Sequence, residues 1–171
     1  MLREQIAASL EDAFSQYGFA EPSVAQLKTL CNVSLRTLYK HFPSKEAMIV
    51  GALEYRHHRY LAFLLDNAPE DGLESIQHIF DKLEQWMIEY APHGCMSLNA
   101  VAAFPDNSTI NKAVKDHKED VRRFLGKKSR RDDLSTTLFL LHEGISSAWP
   151  VIGKDAVISG QNTLTQLFGN K

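Results

Sequence analysis

Two short helices joined by a tight turn are predicted between residues 23 and 46. Ser23 and Gln26 form the pattern of a capping box, which satisfies free amide groups at the start of a helix. Asn32 lies at the turn, where a left-handed backbone is needed and where Asn is tolerated better than most residues. A second helix then begins at Ser34. This arrangement is typical of a helix-turn-helix unit.

The second helix of this unit has an apolar side and a polar side. Leu38 and Phe42 are spaced by four residues, so they point to the core on one face. The free face and its edges then carry side chains that can contact a base edge or a phosphate: Arg36, Thr37, Tyr39, Lys40 and His41. We therefore predict that this helix binds DNA.

The sequence from Val33 to Glu46 resembles the DNA-binding region of the TetR (tetracycline repressor) family, whose members share a pattern close to VSxxTLYxHFxSKE. An upstream segment is similar to the first helix of that family at five positions: Ala13, Phe14, Tyr17, Gly18 and Phe19. Lys28, Cys31 and Asn32 depart from the family pattern, which usually has two Ala residues and a turn Gly there. The resemblance covers the first third of the chain.

Position on the predicted helices assigns a role in DNA binding to nine residues. Three are expected to contact base edges in the major groove, where Arg and Lys pair with guanine: Arg36, Thr37 and Lys40. Leu35 is expected to touch a thymine methyl group. Five are expected to hold phosphates, two of them as at the matching family positions and three at helix starts: Tyr39, His41, Ser23, Ser34 and Lys45. In the alternative interpretation, Tyr39 only packs and Lys40 is only solvated.

The composition agrees with sequence-specific DNA binding without requiring it. The chain has 171 residues and a formal net charge of -2, so it lacks the global positive charge of a protein that coats nucleic acid. A local patch of cations is enough to hold phosphates. The two cysteines, Cys31 and Cys95, offer no disulfide framework, which is typical of the reducing cytosol. No signal peptide and no apolar run of about 18 to 20 residues is visible, so we expect a cytoplasmic protein without membrane contact.

The rest of the sequence predicts helices only. A long helix is expected at 44–67, and five more follow it: 73–90, 95–104, 109–125, 134–149 and 155–168. No strand pattern, low-complexity tract or internal repeat is present. We therefore predict an all-α protein, with an N-terminal three-helix helix-turn-helix domain at 1–45 and a helical ligand-binding and dimerisation domain at 46–171.

The helix predicted at 134–149 is apolar over more than one face and must be covered on several sides. Together with the partly apolar helix at 155–168, it could pair with its copy in a second subunit as a four-helix interface. In the TetR family the last two helices pair in this way, so the resemblance implies a homodimer. A dimer also suits a near-palindromic operator, because it places two recognition helices in successive major grooves. An ordinary buried core helix is the alternative.

Aromatic side chains and a few polar groups concentrate between residues 73 and 149, and they could line a mostly apolar cavity. The set is Phe80, Trp86, Tyr90, Met96, Asn99, Phe104, Phe139, His142 and Trp149. In family terms this set resembles an inducer pocket, which implies a partly apolar small-molecule effector. The competing interpretation is that the same residues form plain core. Gly94 and Cys95 resemble a Gly-Cys segment of some TetR-like regulators, where Cys95 is either a redox switch or a small buried thiol.

Other features of the sequence point to rival functions with less support. Residues 112–131 contain nine Lys or Arg against three acidic residues, but an apolar stripe at helical spacing places these charges on a solvated face. Glu54 and His57 resemble half of a di-iron site, yet no second Glu-x-x-His occurs in the chain. No catalytic triad, glycine-rich phosphate loop or paired-Cys metal site is visible. We therefore predict no enzyme activity, no metal and no cofactor.

These observations together predict a homodimeric TetR-like transcriptional regulator, a repressor that a small-molecule effector releases from its operator. The effector would prefer a dimer whose recognition helices are badly spaced, and its differential affinity would weaken operator binding. The alternative is a helical ligand-binding or interaction protein whose DNA binding is vestigial. The presence of Arg36, Thr37, Tyr39 and Lys40 argues against that alternative.

Overall fold

The computed structural model describes residues 1–169, and every regular element in this range is helical. The helices are α1 (Leu2–Tyr17), α2 (Val24–Leu30), α3 (Leu35–His41), α4 (Lys45–Leu65), α5 (Leu73–Glu89), α6 (Met96–Ala103), α7 (Ser108–Ser129), α8 (Ser135–Ile152) and α9 (Lys154–Gly169). A short 3-10 turn at Asp132–Leu134 precedes α8. The predicted all-α class is confirmed, and α1 to α3 form the predicted N-terminal helix-turn-helix domain.

The helices pack into two compact units. The first unit contains residues 1–59 and 96–117, and the second contains residues 60–95 and the described residues from 118 to 169. The first unit therefore includes α6 and the start of α7 in addition to the helix-turn-helix. The functional boundary between residues 45 and 46 stays a prediction.

One apolar core holds the first unit together. Six helices contribute side chains that are fully buried in it: Leu10, Leu27, Leu38, Met48, Ala100 and Ile110. Burial of this apolar surface is the main force that holds α3 in place, because α3 has only seven residues and a helix that short is not stable alone.

A buried ion pair joins α1 to α4 within the first unit. Glu11 is 3% exposed, and its Oε1 accepts hydrogen bonds from Arg56 Nη1 at 2.6 Å and from Arg59 Nη2 at 2.7 Å. A buried carboxylate requires such partners, because leaving it without a counter-charge is strongly destabilising.

The end of α3 lies against α4 where α4 has a glycine. Phe42 is fully buried, and a Cβ atom added at Gly51 would lie 2.2 Å from its Cε1 atom. Any side chain at residue 51 would therefore displace the ring. Glycine inside a helix costs about 1 kcal/mol relative to alanine, and here it makes room for the side chain that anchors α3.

The second unit has its own core, in which α8 and α9 approach closely. Its fully buried side chains come mostly from α5, with others from α4, α7, α8 and α9. They include Phe80, Leu83, Leu138 and Leu164. A Cβ atom added at Gly160 would lie 2.5 Å from Ile145 Cδ1. The glycine thus permits the close contact between the last two helices.

Two helix ends differ from the sequence-based boundaries. α7 continues past residue 125 to Ser129, and it ends where Arg130 adopts a left-handed backbone with φ 54°. α8 continues past Pro150 to Ile152, although proline removes one backbone donor. The stop is Gly153, whose φ of 54° is outside the helical region.

Candidate DNA-binding surface

The turn between α2 and α3 has the predicted geometry. Ser23 Oγ accepts a hydrogen bond from Gln26 N at 3.2 Å, and Ser23 N donates to Gln26 Oε1 at 2.8 Å, which completes the capping box. Asn32 has a φ of 52°, and its N–H donates to Thr29 O at 3.0 Å. The left-handed residue therefore ends α2 and directs the chain into α3.

The start of α3 is capped by its own side chains. Ser34 Oγ accepts from Thr37 N at 3.0 Å and lies 2.8 Å from Thr37 Oγ1. Leu38 and Phe42 are fully buried, as their spacing predicted. These anchors determine which side of α3 faces outward, since residues four apart share one face of a helix.

All nine residues predicted to contact DNA lie in the first unit. Six are exposed: Ser23, Ser34, Leu35, Arg36, Tyr39 and Lys40. Three are half-buried: Thr37, His41 and Lys45. Within residues 1–169, Arg36 and Lys40 form no ion pair. The outward face of α3 thus presents two cations beside exposed hydrogen-bonding groups.

Lys45 has a structural contact that its position in the sequence did not indicate. Its Nζ donates to Ala20 O at 3.0 Å, which ties the loop after α1 to the start of α4. Burial lowers the pKa of this ammonium group, and the nearby Glu21 carboxylate opposes that effect. Ser44 Oγ caps the same helix by accepting from Ala47 N at 3.0 Å.

Cys31 is an apolar packing residue at the end of α2. Its side chain is buried, and its Sγ lies 3.9 Å from Ile6 O. Burial raises the pKa of this thiol to about 11. The thiol therefore stays protonated near neutral pH and is a weak nucleophile.

The basic run at 112–131 is largely neutralised. At least six of its cations lie within ion-pair distance of carboxylates, in the pairs Lys112–Asp116, Lys118–Glu143, Arg122–Glu119, Arg123–Asp120, Lys128–Asp71 and Arg131–Asp133. This pairing agrees with the interpretation that the run is a solvated helix face.

The predicted ligand-binding residues belong to different units. Met96, Asn99 and Phe104 are in the first unit, whereas Phe80, Trp86, Tyr90, Phe139, His142 and Trp149 are in the second. Phe80 is fully buried in the core of the second unit, and Asn99 is exposed. A role of these residues in ligand binding stays a prediction.

His142 lies in a buried polar network of the second unit. Its Nε2 is 2.5 Å from Tyr60 Oη, and its Nδ1 is 3.0 Å from Glu143 Oε1. Burial lowers the pKa of His142 despite the neighbouring carboxylate, so the ring is neutral at pH 7. A neutral ring has one donor nitrogen, so Nδ1–H donates to Glu143 and Nε2 accepts from Tyr60. Both ring nitrogens therefore have hydrogen-bond partners within the second unit.

The network continues from Glu143 to Lys118. Lys118 Nζ donates to both carboxylate oxygens, at 2.9 and 2.7 Å, and lies 3.3 Å from Cys95 Sγ. Burial disfavours the Glu143 carboxylate, but hydrogen bonds from His142 and Lys118, together with the positive charge of Lys118, outweigh it and lower the pKa to about 2. The pair therefore stays ionised across the physiological range.

Trp86 and Tyr90 are part of a packed aromatic cluster. The ring centroid of Trp86 lies 4.9 Å from that of Tyr60, 5.5 Å from that of Phe63 and 4.8 Å from that of Tyr90. Trp86 is 5% exposed. Such contacts between rings stabilise the core of the second unit.

A surface groove of about 620 Å³ lies in the first unit. It is lined by Tyr17, Glu21, Pro22, Ala25, Gln26, Thr29 and Leu30. None of the nine predicted ligand-binding residues contributes to it.

Neither a metal site nor a membrane span is found in the part of the chain that the structure describes. No three His, Cys, Asp or Glu side chains there are arranged to hold a metal ion. His57, which the sequence placed in half of a di-iron pattern, stacks on His117 with ring centroids 4.4 Å apart. No described helix combines the length and the apolar character that crossing a bilayer requires.

Comparison with protein families matches residues 6–52 to the family described as bacterial regulatory proteins, tetR family. The match covers most of α1, all of α2 and α3, and the first turns of α4. Among curated proteins, the HTH-type transcriptional regulator UidR of Escherichia coli K12 is 23% identical over 128 residues. The alignment covers 75% of this chain and 64% of UidR, so the chain spans less than two thirds of that relative.

Solved structures share the fold over nearly the whole chain. A TetR-family transcriptional regulator from Streptomyces coelicolor matches with a TM-score of 0.81 at 18% identity, over 96% of this chain and 88% of that chain. A TetR transcriptional regulator from Legionella pneumophila matches with a TM-score of 0.75 at 20% identity, over 95% of both chains. At such identities these matches establish the fold alone.

Proposed function

We propose that the chain, which belongs to the TetR family of bacterial regulatory proteins, is a sequence-specific DNA-binding transcriptional regulator. The observation that carries this proposal is the outward face of α3, where Arg36 and Lys40 are exposed and form no ion pair within residues 1–169. Such cations are suited to guanine edges and phosphates. As part of the same proposal, the protein works in the cytoplasm, where a bacterial operator lies.

The nine candidate residues divide between base and phosphate contacts. Arg36, Thr37 and Lys40 contact base edges, and Leu35 contacts a thymine methyl group. The phosphates are contacted by five residues: Ser23, Ser34, Tyr39, His41 and Lys45. The side chains of Leu35 and Tyr39 are exposed, so both are accessible to a DNA partner.

A homodimer through α8 and α9 is part of the proposal. Four large apolar side chains on these helices are exposed: Leu140, Val151, Ile152 and Ile158. Leu140 and Val151 are separated by three helical turns, so they share one face of α8. Pairing of that face between two subunits would remove it from water and place two α3 helices at the spacing of a near-palindromic operator, about 34–36 Å.

The proposed regulation is repression released by a partly apolar small molecule. The effector binds among the helices after α4 and prefers a dimer whose α3 helices are badly spaced, so that it weakens operator binding by its differential affinity. Helix α4 contributes residues to both units and is the proposed link. An effector that binds tightly without changing operator affinity would contradict this mechanism.

The test of DNA binding is selection from genomic fragments followed by a salt titration. We expect the native chain to select a near-palindromic fragment. Its affinity for that fragment should fall steeply as the salt concentration rises. The double variant Arg36→Ala, Lys40→Ala should bind about 100-fold more weakly, since each good base contact is worth a factor of about 10. The slope of log affinity against log salt concentration should change little, because both residues are assigned to base edges and not to phosphates.

The matched control removes the same two charges from α7. Lys112→Ala combined with Arg123→Ala takes away exposed cations that are already paired with carboxylates. We expect operator affinity within about three-fold of the native value, in line with the small effect of exposed ion pairs. Equally weakened binding in both double variants, or no selected fragment, would favour the alternative in which DNA binding is vestigial.

A further inference from the structure

Asn107 links two helices of the first unit with one side chain. Its Oδ1 accepts hydrogen bonds from Thr109 N at 3.1 Å and from Ile110 N at 3.0 Å, so it caps the start of α7. Its Nδ2 donates to Glu46 Oε2 at 2.5 Å. The turn between α6 and α7 is thereby bonded to the first turn of α4.

Glu46 lies next to the connection that leads to α3. Helix α3 ends at His41 and α4 begins at Lys45, so three residues separate them. A carboxylate in the first turn of a helix is already favoured by the helix dipole. The helix dipole favours the carboxylate without any partner. The additional effect of the bond to Asn107 is to fix the position of Glu46 relative to α7.

The turn that holds Asn107 is itself rigidly placed. Ile110 and Ala100 are buried in the same core as Leu38 and Phe42 of the α3 segment. Asn111 Nδ2 also donates to Pro105 O at 2.7 Å, which closes the turn on itself. Because interiors are close-packed, a shift of the α6–α7 turn would be transmitted to the start of α4.

We infer that Asn107 is a positioning residue for DNA binding, which holds the start of α4 and the three-residue connection to α3 in the orientation that contacts DNA. The inference rests on the proposed function of α3. Asn107 acts through Glu46 and touches no DNA itself. The α6–α7 turn therefore becomes a second place, besides α4, where a bound molecule can alter operator affinity.

The first variant is Asn107→Asp. It keeps an oxygen that can cap α7 but replaces the amide donor with an oxygen that faces the Glu46 carboxylate. We expect operator affinity to fall about ten-fold, the factor that matches removal of a hydrogen bond to a charged group. The salt slope should stay native, because the number of phosphate contacts is unchanged.

The second variant adds Glu46→Gln to Asn107→Asp. The new amide can donate to the new carboxylate, so the bond is restored with its direction reversed. We expect operator affinity to return to within about two-fold of native, as in a double-mutant cycle on a direct contact. The matched control is Gln85→Glu, an exposed amide-to-carboxylate change on α5 in the second unit, which should leave affinity unchanged.

Hydrogen exchange provides a measurement that does not need DNA. In the first turn of α4, the amides of Ala47 and Met48 donate to Ser44. They should exchange faster in Asn107→Asp and regain protection in the double variant. Native exchange in Asn107→Asp, or equally reduced affinity in the single and double variants, would overturn the positioning role. A native chain that selects no DNA would overturn the proposed function and the role in DNA binding with it, while exchange would still report the bond to Glu46.

Discussion

Two basic segments of this chain use their cations differently. The run at 112–131 holds nine Lys or Arg, and at least six of them are paired with carboxylates. Helix α3 has far fewer cations, yet Arg36 and Lys40 are exposed and form no ion pair within residues 1–169. The density of basic residues along the sequence therefore does not locate the surface most suited to DNA.

The difference has a physical reason. An exposed ion pair adds only about 0.2–1 kcal/mol to stability, but it leaves its cation neutralised. A cation without such a partner is free to neutralise a phosphate, and the release of the counterions condensed on the DNA then drives binding. Paired cations should therefore matter for folding, and unpaired cations should matter for DNA affinity.

The largest expected effect tests the expectation that paired cations matter for folding. Glu11→Ala removes the buried carboxylate that Arg56 and Arg59 contact. We expect the free energy of unfolding to fall by about 3–5 kcal/mol, since breaking a buried ion pair leaves charge without compensation. Urea denaturation measures it, with the exposed neighbour Asp12→Ala as the control. If the free energy of unfolding falls no more than in the control, the buried ion pair does not stabilise the first unit.

The next effect concerns the pair of Glu143 with Lys118 in the second unit. The pKa of Glu143 is lowered from its ordinary 4.5 to about 2. A carboxyl with a lowered pKa in the folded state contributes stability fully above pH 4.5 and loses it as the pH falls toward 2. That contribution is up to about 3 kcal/mol.

Glu143→Gln should therefore be less stable than the native chain at pH 7 and should lose less stability between pH 4.5 and 2.5. Urea denaturation across this range gives the two profiles, and the exposed Glu89→Gln on α5 is the control. Parallel acid profiles for the native chain and Glu143→Gln would show that this pair does not stabilise the second unit.

The local features of the DNA-binding surface were predictable from sequence because they depend on near neighbours. The caps at Ser23 and Ser34, the left-handed Asn32 and the buried pair Leu38 and Phe42 all follow from residues within four positions of each other. Side-chain spacing and capping chemistry fully determine such features.

The contacts that hold this surface in place were not predictable, because they join residues that are far apart in the chain. Lys45 bonds Ala20, and Asn107 bonds Glu46 across 61 positions. His142 contacts Tyr60 across 82 positions. Helical periodicity assigns a residue to a face, and only tertiary packing decides which group meets it there.

A smaller effect is expected from Tyr39, which is interpreted either as a phosphate contact or as a residue that only packs. Only the first interpretation requires its hydroxyl group. Tyr39→Phe keeps the ring and removes the group proposed to bind a phosphate. We expect operator affinity to fall about 3- to 10-fold, the value of one hydrogen bond, with stability unchanged because the side chain is exposed. Tyr17→Phe, on an exposed ring of α1, is the control in the same binding titration. Native affinity in Tyr39→Phe would favour the interpretation that Tyr39 only packs.

The smallest expected effect comes from Lys45, which has a structural partner and is also proposed to bind a phosphate. One donor of its ammonium group is used by Ala20 O, and two remain for a phosphate. Lys45→Met keeps the apolar stem and removes the charge, and we expect operator affinity to fall about three-fold and the salt slope by about 0.9. Stability should fall by at most about 1 kcal/mol, the value of one hydrogen bond to a loop carbonyl. A lower slope with native stability would assign Lys45 to phosphate binding, whereas lower stability with a native slope would group it with the paired cations of α7.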